Sequence, residues 1–262
     1  MTQNVETNEK RYRAPALDKG LDILELLSAE PSGLTRAEIV RSMDKSASEI
    51  YRMLERLVMR GYVTRSPEGD RYCLSLKLFC LATVYPPLQR LRSIAQPLMD
   101  SFAIETLQSV HLAALERDTA IVIAQASGPA HWEFRLRLGS QLDLFNTSSG
   151  ATLLAFQDDV TLTDMLSHAR DSGALSSQKQ VSEKQTEIAK IKKDGQRTSD
   201  SKQLIGVTDI SVPVLDPQKN SIAVLTCPYI KRVSENAISK KHPSVVQTRN
   251  ALLRLAAEIS VK

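Results

Sequence analysis

Ser46-Ala-Ser-Glu-Ile-Tyr-Arg-Met-Leu-Glu-Arg-Leu-Val-Met-Arg-Gly61 is the stretch on which the architecture turns. Ile50, Met53, Leu54, Leu57 and Val58 recur at three- and four-residue steps, so they share one face of a helix. Ser46 with Glu49 three residues on is a capping-box signature for the start of that helix. Gly61 suits the left-handed position that ends it. The opposite side carries Ser46, Ser48, Glu49, Tyr51, Arg52, Glu55 and Arg56. Short polar side chains at the N-terminal end let a helix sink into a major groove, and arginines further along can reach guanine edges or phosphates. Read alone, the same residues also describe a solvated helix face with i,i+4 pairing, and the two glutamates oppose uniform phosphate attraction.

The flanks decide between these readings. Upstream, Thr35-Arg-Ala-Glu38 is a second capping pattern, leading into Ile39, Val40 and Met43 of a short helix. Before that, Leu17, Leu21, Leu24 and Leu27, widened by Ile23, form the predicted apolar face of a helix that opens after Pro15 and stops at Pro31-Ser-Gly33. Downstream, Tyr62–Arg65 reads as a strand, Ser66-Pro-Glu-Gly69 as a turn and Asp70–Leu74 as the returning strand. A hairpin directly after the third helix is a wing, with Arg65 and Arg71 flanking its tip. Residues 14–75 are therefore expected to form a winged helix-turn-helix. Residues 1–13 are polar and without periodicity and read as a disordered arm, whose basic end (Lys10, Arg11, Arg13) either touches phosphates or is merely solvated.

Residues 76–87 read as a linker helix broken at Pro86-Pro87, and residues 88–262 as a second domain. Leu88 to Thr106 continues as helix, with Pro97 starting a new segment or kinking it. Two strands, Ser109–Glu116 and Thr119–Gln125, are joined at Arg117-Asp118, and Phe134–Leu138 alternates as a further strand. Gly206–Leu215 and Ser221–Pro228 flank a turn, helical stretches fall around 149–158, 160–170 and 182–195, and Ser244–Val261 closes the chain. A hairpin-rich sheet with segregated helices is α+β.

Composition is permissive. With 42% hydrophobic and 24% charged residues and a net charge of +4, the chain looks globular and mildly basic, which allows nucleic-acid binding without requiring it. Cys73, Cys80 and Cys227 have no metal-ligand spacing and fit a reducing, cytoplasmic setting, and no stretch is apolar enough to span a bilayer. The four histidines, His111, His131, His168 and His242, show no metal-binding pattern, and GxSxG, P-loop and GxGxxG motifs are absent. His111 on a strand reads as a satisfied sheet residue, while His131-Trp132 beside Gly128-Pro129 could line a pocket mouth. Neither catalysis, a cofactor nor a metal is expected.

The runs Leu17-Asp-Lys-Gly-Leu-Asp-Ile-Leu-Glu-Leu-Leu27, Ser48-Glu-Ile-Tyr-Arg-Met-Leu54, Arg60-Gly-Tyr-Val63 and Tyr72-Cys-Leu-Ser-Leu76 resemble the IclR family of transcription regulators. Leu138-Gly139, Thr147-Ser-Ser-Gly-Ala-Thr-Leu-Leu-Ala155, Gly206-Val-Thr-Asp-Ile-Ser-Val-Pro-Val214 and Ala223-Val-Leu-Thr-Cys-Pro-Tyr229 extend the resemblance over about residues 15–260. It implies a linker helix and a GAF-like effector-binding domain behind the DNA head. By resemblance, Ser46, Ser48, Glu49, Tyr51, Arg52 and Arg56 face operator DNA, with Arg36 on the second helix and Arg65 and Arg71 on the wing completing the set. The implied effector pocket takes Phe134, Ser148, Ser149, Gly150, Val207, Asp209 and Thr226. Asp209 stands where some relatives carry cysteine, and Thr226 replaces a frequent serine. Asp209 would repel an acidic ligand unless neutralised, or would accept hydrogen bonds from ligand hydroxyls. A small hydroxylated or aromatic catabolite is the expected effector.

The expected function is thus a ligand-responsive transcriptional regulator of a catabolic operon that binds a palindromic operator as a homodimer or homotetramer. The competing readings are a DNA-binding protein whose second domain only oligomerises, and an enzyme on a GAF-like fold.

Overall fold

The computed structural model describes residues 14–128, 134–231 and 242–260; the expected arm 1–13 and the His131-Trp132 pair lie outside the described residues. The chain divides into two compact units at Tyr85/Pro86.

The first unit holds α1 (Pro15–Ser28), β1 (Leu34–Thr35), α2 (Arg36–Met43), α3 (Ala47–Met59), the wing strands β2 (Val63–Arg65) and β3 (Arg71–Leu74), and α4 (Lys77–Val84). The cap of α2 forms with both reciprocal bonds: Glu38 N–H donates to Thr35 Oγ1 at 3.3 Å and Thr35 N–H donates to Glu38 Oε2 at 2.7 Å. Each satisfies a backbone donor that the first helical turn would otherwise leave unpaired. Ser46 caps α3 through the Glu49 N–H. Gly61, at φ +74°, closes α3 with paired 2.9 Å bonds from Gly61 N–H to the Val58 carbonyl and from Tyr62 N–H to the Leu57 carbonyl. Ile23, Leu27, Ile39, Ile50, Leu54, Val63 and Tyr72 form this unit's core.

The apolar face expected of α1 is only half used. Ile23 and Leu27 are buried, whereas Leu17 is 61% and Leu21 48% exposed. The apolar core of the unit is met only by the C-terminal half of α1, and the first two turns touch α3 through the polar Lys19–Glu49 pair, which leaves Leu17 and Leu21 uncovered. No residue of α4 is buried, although it carries Leu78, Phe79, Leu81 and Val84. Tyr85, extended at ψ 110°, ends α4 because the residue before a proline is pushed out of helical geometry. The wing also holds a strand that sequence patterning does not announce: β1 pairs antiparallel with β3, giving the order β1-β3-β2.

The second unit begins with α5 (Pro86–Thr106), which runs through Pro97 without breaking. It continues with β4 (Val110–Glu116), β5 (Thr119–Ala126), β6 (Gln141–Asp143), α6 (Ser148–Ala155), α7 (Asp159–Asp171), α8 (Gln178–Asp194), β7 (Arg197–Asp200), β8 (Val207–Leu215), β9 (Ser221–Ile230) and α9 (Val245–Ser260). The strands form one antiparallel sheet in the order β6-β5-β4-β9-β8-β7. Helices α5 and α9 bury Met99, Phe102, Leu252 and Leu255 in one core cluster, and α6, α7 and α8 contribute Leu153, Leu154, Leu166 and Ile188 to a second. The unit is α+β, as its patterning predicts.

Two local expectations are corrected. Phe134–Leu138 alternates in exposure only as far as Arg137, Leu138 being exposed as well, and it is not a strand. The bonds to β5 begin only at Gly139 and Ser140, and the edge is then taken by β6, where Gln141 faces Ile121. Helix α8 starts at Gln178 rather than near 182, because Ser177 Oγ accepts the Gln180 N–H at 3.2 Å and caps it earlier.

Candidate functional site

The first candidate surface is the outer side of α3 with its neighbours. Ser46, Ser48, Tyr51, Arg52 and Arg56 are all exposed. Arg36 joins them from α2, its guanidinium 5.5 Å from the centroid of the Tyr51 ring. Arg52 Nε donates to the Ser48 carbonyl at 3.4 Å, which lays its side chain back along α3 toward the helix start. Arg36, Arg52 and Arg56 make no ion pair among the described residues. These three cations stand in solvent, available to a polyanion.

The other predicted DNA contacts are already engaged. Glu49 pairs with Lys19 of α1 and accepts from Ser46 Oγ at 2.8 Å. The Lys19 ammonium first, and the Ser46 hydroxyl after it, hold its carboxyl down to about 2. Glu49 therefore stays ionised and straps α3 to α1. Arg65 is held by Glu55 and lies 5.2 Å from the Tyr72 ring centroid. Arg71 is half-buried; it donates to the Gly33 carbonyl at 2.8 Å and lies 3.7 Å from Glu38, so it ties the wing to the start of α2. Long-range pairing of this kind leaves no mark in local sequence.

The second candidate site lies on one face of the large sheet. Antiparallel register sets His111 of β4 beside Thr226 of β9, Thr226 beside Ser211 of β8, and Ser211 beside Arg197 of β7. Onto the first three of these the start of α6 lowers Ser148 and Ser149. The result is a continuous buried chain: His111 Nε2 to Ser149 Oγ at 3.3 Å, Ser149 Oγ to Thr226 Oγ1 at 2.8 Å, Thr226 Oγ1 to Ser211 Oγ at 2.8 Å, and Ser211 Oγ donating to Ser148 Oγ at 2.9 Å. Complete burial pushes the His111 imidazole down to about 4, so at neutral pH it is uncharged.

This chain floors a small cavity of about 40 Å³. Phe134, Leu136 and Leu142 supply apolar lining, and Asp209 and Pro228 a further part of the wall. Two rims enclose it, one at Asn146–Ser149 and the other at Ser201–Leu204. Burial raises the Asp209 carboxyl above its ordinary value, opposed by a hydrogen bond from Ser201 and by the nearby Arg197 charge. The cavity thus offers hydroxyls and a neutral imidazole on its floor and one carboxylate on its wall, an arrangement suited to hydrogen-bonding a polar small molecule.

Of the residues expected at this pocket, Phe134, Ser148, Ser149, Asp209 and Thr226 line the cavity together. Gly150 and Val207 are not among its lining residues. Gly150 instead lets α6 approach the preceding loop, since a Cβ there would stand 2.3 Å from Leu144 Cα. Val207 is buried at the start of β8, opposite Ile230. His111 lines the cavity while being a satisfied sheet residue, and Ser211 lies beneath the floor, bonded to Thr226 and Ser148 without lining the cavity itself. The two-residue period of β8, which sets Ser211 on the same side as Asp209, is the one sequence signal that points to Ser211.

Among the described residues no group of three or more His, Cys, Asp or Glu side chains could hold a metal ion, and no helix is long and apolar enough to cross a membrane.

Comparison with known proteins matches both units. Residues 16–67 match the IclR helix-turn-helix domain, and residues 87–260 match the family described as bacterial transcriptional regulator IclR C-terminal. Among curated relatives, the DNA-binding transcriptional repressor YiaJ of Escherichia coli is 26% identical over 90% of this chain and 86% of its own. The HTH-type transcriptional regulator KdgR of Dickeya chrysanthemi is 27% identical over 92% and 78%. Among solved structures, an IclR homologue complexed with 4-hydroxybenzoate from Microbacterium hydrocarbonoxydans superposes with TM-score 0.74 at 20% identity, covering 94% of this chain and 98% of that one. The Thermotoga maritima IclR gives TM-score 0.69 at 24% identity over 94% and 97%.

Proposed function

Because the chain belongs to the IclR family of bacterial transcriptional regulators, we propose that it controls a catabolic operon, reading a palindromic operator with α3 and a small catabolite with the pocket above β4, β8 and β9. The observation that carries the DNA half is the exposed pair Arg52 and Arg56 on a capped helix whose other face is the unit's core, joined by Arg36 from α2. A single winged helix makes few base contacts, so two copies on half-sites about 34 Å apart, or a multiple of that, are required for specificity. The uncovered Leu17 and Leu21 of α1 and the exposed Leu78, Phe79, Leu81 and Val84 of α4 support a homodimer or homotetramer, since clustered exposed apolar side chains mark association.

Arg52→Ala is expected to weaken binding to the gene's own upstream DNA by about 1–3 kcal/mol and to relax base preference at one position of each half-site. Fluorescence anisotropy on a set of single-base variants checks this. Equal loss on every sequence would make Arg52 a phosphate contact instead.

The pocket half rests on the buried hydroxyl chain ending at a neutral histidine. Ser149 and Thr226 offer donors and acceptors to a ligand's polar end, Asp209 accepts from its hydroxyls, and Phe134 and Leu136 cover an apolar or aromatic body. The relative that holds 4-hydroxybenzoate makes a hydroxylated aromatic acid the first probe. Calorimetric titration with 4-hydroxybenzoate and a panel of hydroxylated acids is expected to find a ligand whose affinity falls in both Ser149→Ala and Asp209→Ala. A ligand that binds both variants as tightly as the wild type rules this pocket out. Signalling further requires that the ligand prefer one of two arrangements of the protein, since equal affinity for both shifts nothing.

A further inference from the structure

The cavity of about 40 Å³ has room for a few waters, far short of the roughly 300 Å³ or more that metabolite pockets enclose. A metabolite-sized ligand is accommodated only if part of the wall gives way, and the two rims supply about half of that wall, so whatever holds them bears on the ease of binding. One rim grows from the loop 143–147, folded on itself by Asp143, whose Oδ1 accepts the Phe145 and Asn146 N–H groups at 2.7 Å each. The other, residues 201–204, follows β7 directly.

Helix α8 holds the loop of the first rim directly and the second rim through the start of β7. Lys184 is only 7% exposed, and its ammonium donates to the Phe145 carbonyl of the first rim and to the Glu187 carboxylate one turn on. Glu187 also pairs with the guanidinium of Arg197, the first residue of β7, and Arg197 Nε donates to Ser199 Oγ at 3.1 Å on the same strand. The side chains of Lys184, Arg197 and Glu187 are 8%, 12% and 27% exposed, so the two cations are largely out of water and the carboxylate between them is half-buried. The Lys179–Glu183 pair of the same helix is the contrast, lying in solvent at 3.8 Å with 85% and 63% exposure. An exposed pair contributes little, whereas removing one member of a buried pair leaves its partner uncompensated. None of these three charges lines the cavity. Arg197 nevertheless stands opposite Ser211 in the row that floors it, and its charge acts on Asp209.

We propose that Lys184, Glu187 and Arg197 are positioning residues of the pocket, an ion chain that ties its two rims to α8 so that ligand entry must work against it. The ligand itself belongs to the reading given above; the tie between rims does not depend on it.

Amide hydrogen exchange on the full chain, without ligand, tests the tie. Glu187→Gln, which keeps shape and removes charge, is expected to speed exchange about tenfold at both 143–149 and 198–205. Helices α5 and α9, on the opposite face of the sheet, should keep their protection. Lys184→Met should repeat the pattern, and Lys179→Ala should change nothing. Faster exchange at one rim alone, or an even rise that includes α5 and α9, overturns the proposal by making the chain a local or a merely structural contact. If Lys184→Met fails to fold, Glu187→Gln still decides. A wild type that ignores 4-hydroxybenzoate and every acid of the panel counts against the ligand reading and leaves the exchange result standing.

Discussion

Leu54→Ala is expected to abolish DNA binding while leaving the second unit folded. Leu54 is fully buried, packed with Ile23, Ile39 and Ile50 where the three helices of the first unit meet. Truncating a buried leucine removes its transfer free energy and leaves a cavity, together about 2–5 kcal/mol. A unit of this size has a total stability of roughly 4–10 kcal/mol, so the substitution takes a large fraction of it. The loss should appear as exchange of the α2 and α3 amides approaching unprotected rates, with binding to upstream DNA lost in anisotropy and the protection of α5 and α9 retained. Arg52→Ala should instead weaken binding with full protection of α3. If Leu54→Ala binds DNA as well as the wild type, the packing of α3 against α1 and α2 is not what presents its polar face.

Gly150→Ala should damage the second unit in the same selective way. Alanine is the better helix former by about 1 kcal/mol, so propensity alone predicts a gain. Here the steric term wins. The new Cβ would lie 2.3 Å from Leu144 Cα, 2.5 Å from the Asp143 carbonyl oxygen and 2.6 Å from that of Leu144. All three are backbone atoms of the loop that bears one rim, and backbone cannot swing aside as a side-chain end can. Overpacking of this kind costs about 1–3 kcal/mol or more, which at the upper figure lowers the melting point of a unit this size by roughly 6–12 °C. Scanning calorimetry reads the shift. Gly20, inside α1 with nothing within 4 Å of its Cβ position, is the control, and Gly20→Ala should be neutral or stabilising. Equal behaviour of the two variants would show that the loop 143–147 yields freely, and with it the rim.

The helical start signals were legible because each is closed within one turn of chain. Thr35 with Glu38, Ser46 with Glu49, Gly61 with Val58 and Tyr62 with Leu57 pair groups three to five residues apart, so residue type at fixed spacing determines them. The wing was legible from its turn residues, and Gly69, at φ +80°, occupies the position that needs glycine. The fate of the wing arginines was not. Arg65 and Arg71 look alike in sequence, yet the carboxylates that engage them, Glu55 and Glu38, come from two different helices.

The pocket divides in the same manner. Ser148, Ser149 and Asp209 stand out as polar groups at a helix start and on an apolar strand, but His111 and Ser211 join them only through strand register. Alternation shows which residues share a face of one strand; it does not show which strand lies beside which. Phe134–Leu138 is the converse case, since its alternation promised a ladder and β6 took the edge instead.

The sequence alone therefore determined the capped helices, the wing and the α+β character of the second unit, because these rest on hydrogen bonds and apolar periodicity over a few residues. Only the tertiary structure decided which arginines of the first unit lack a carboxylate partner, how His111, Thr226, Ser211 and Arg197 align across four strands, and how α8 meets the 143–147 loop and the start of β7. Those arrangements depend on pairings between residues distant in the chain, where register and burial, not local propensity, set which groups meet.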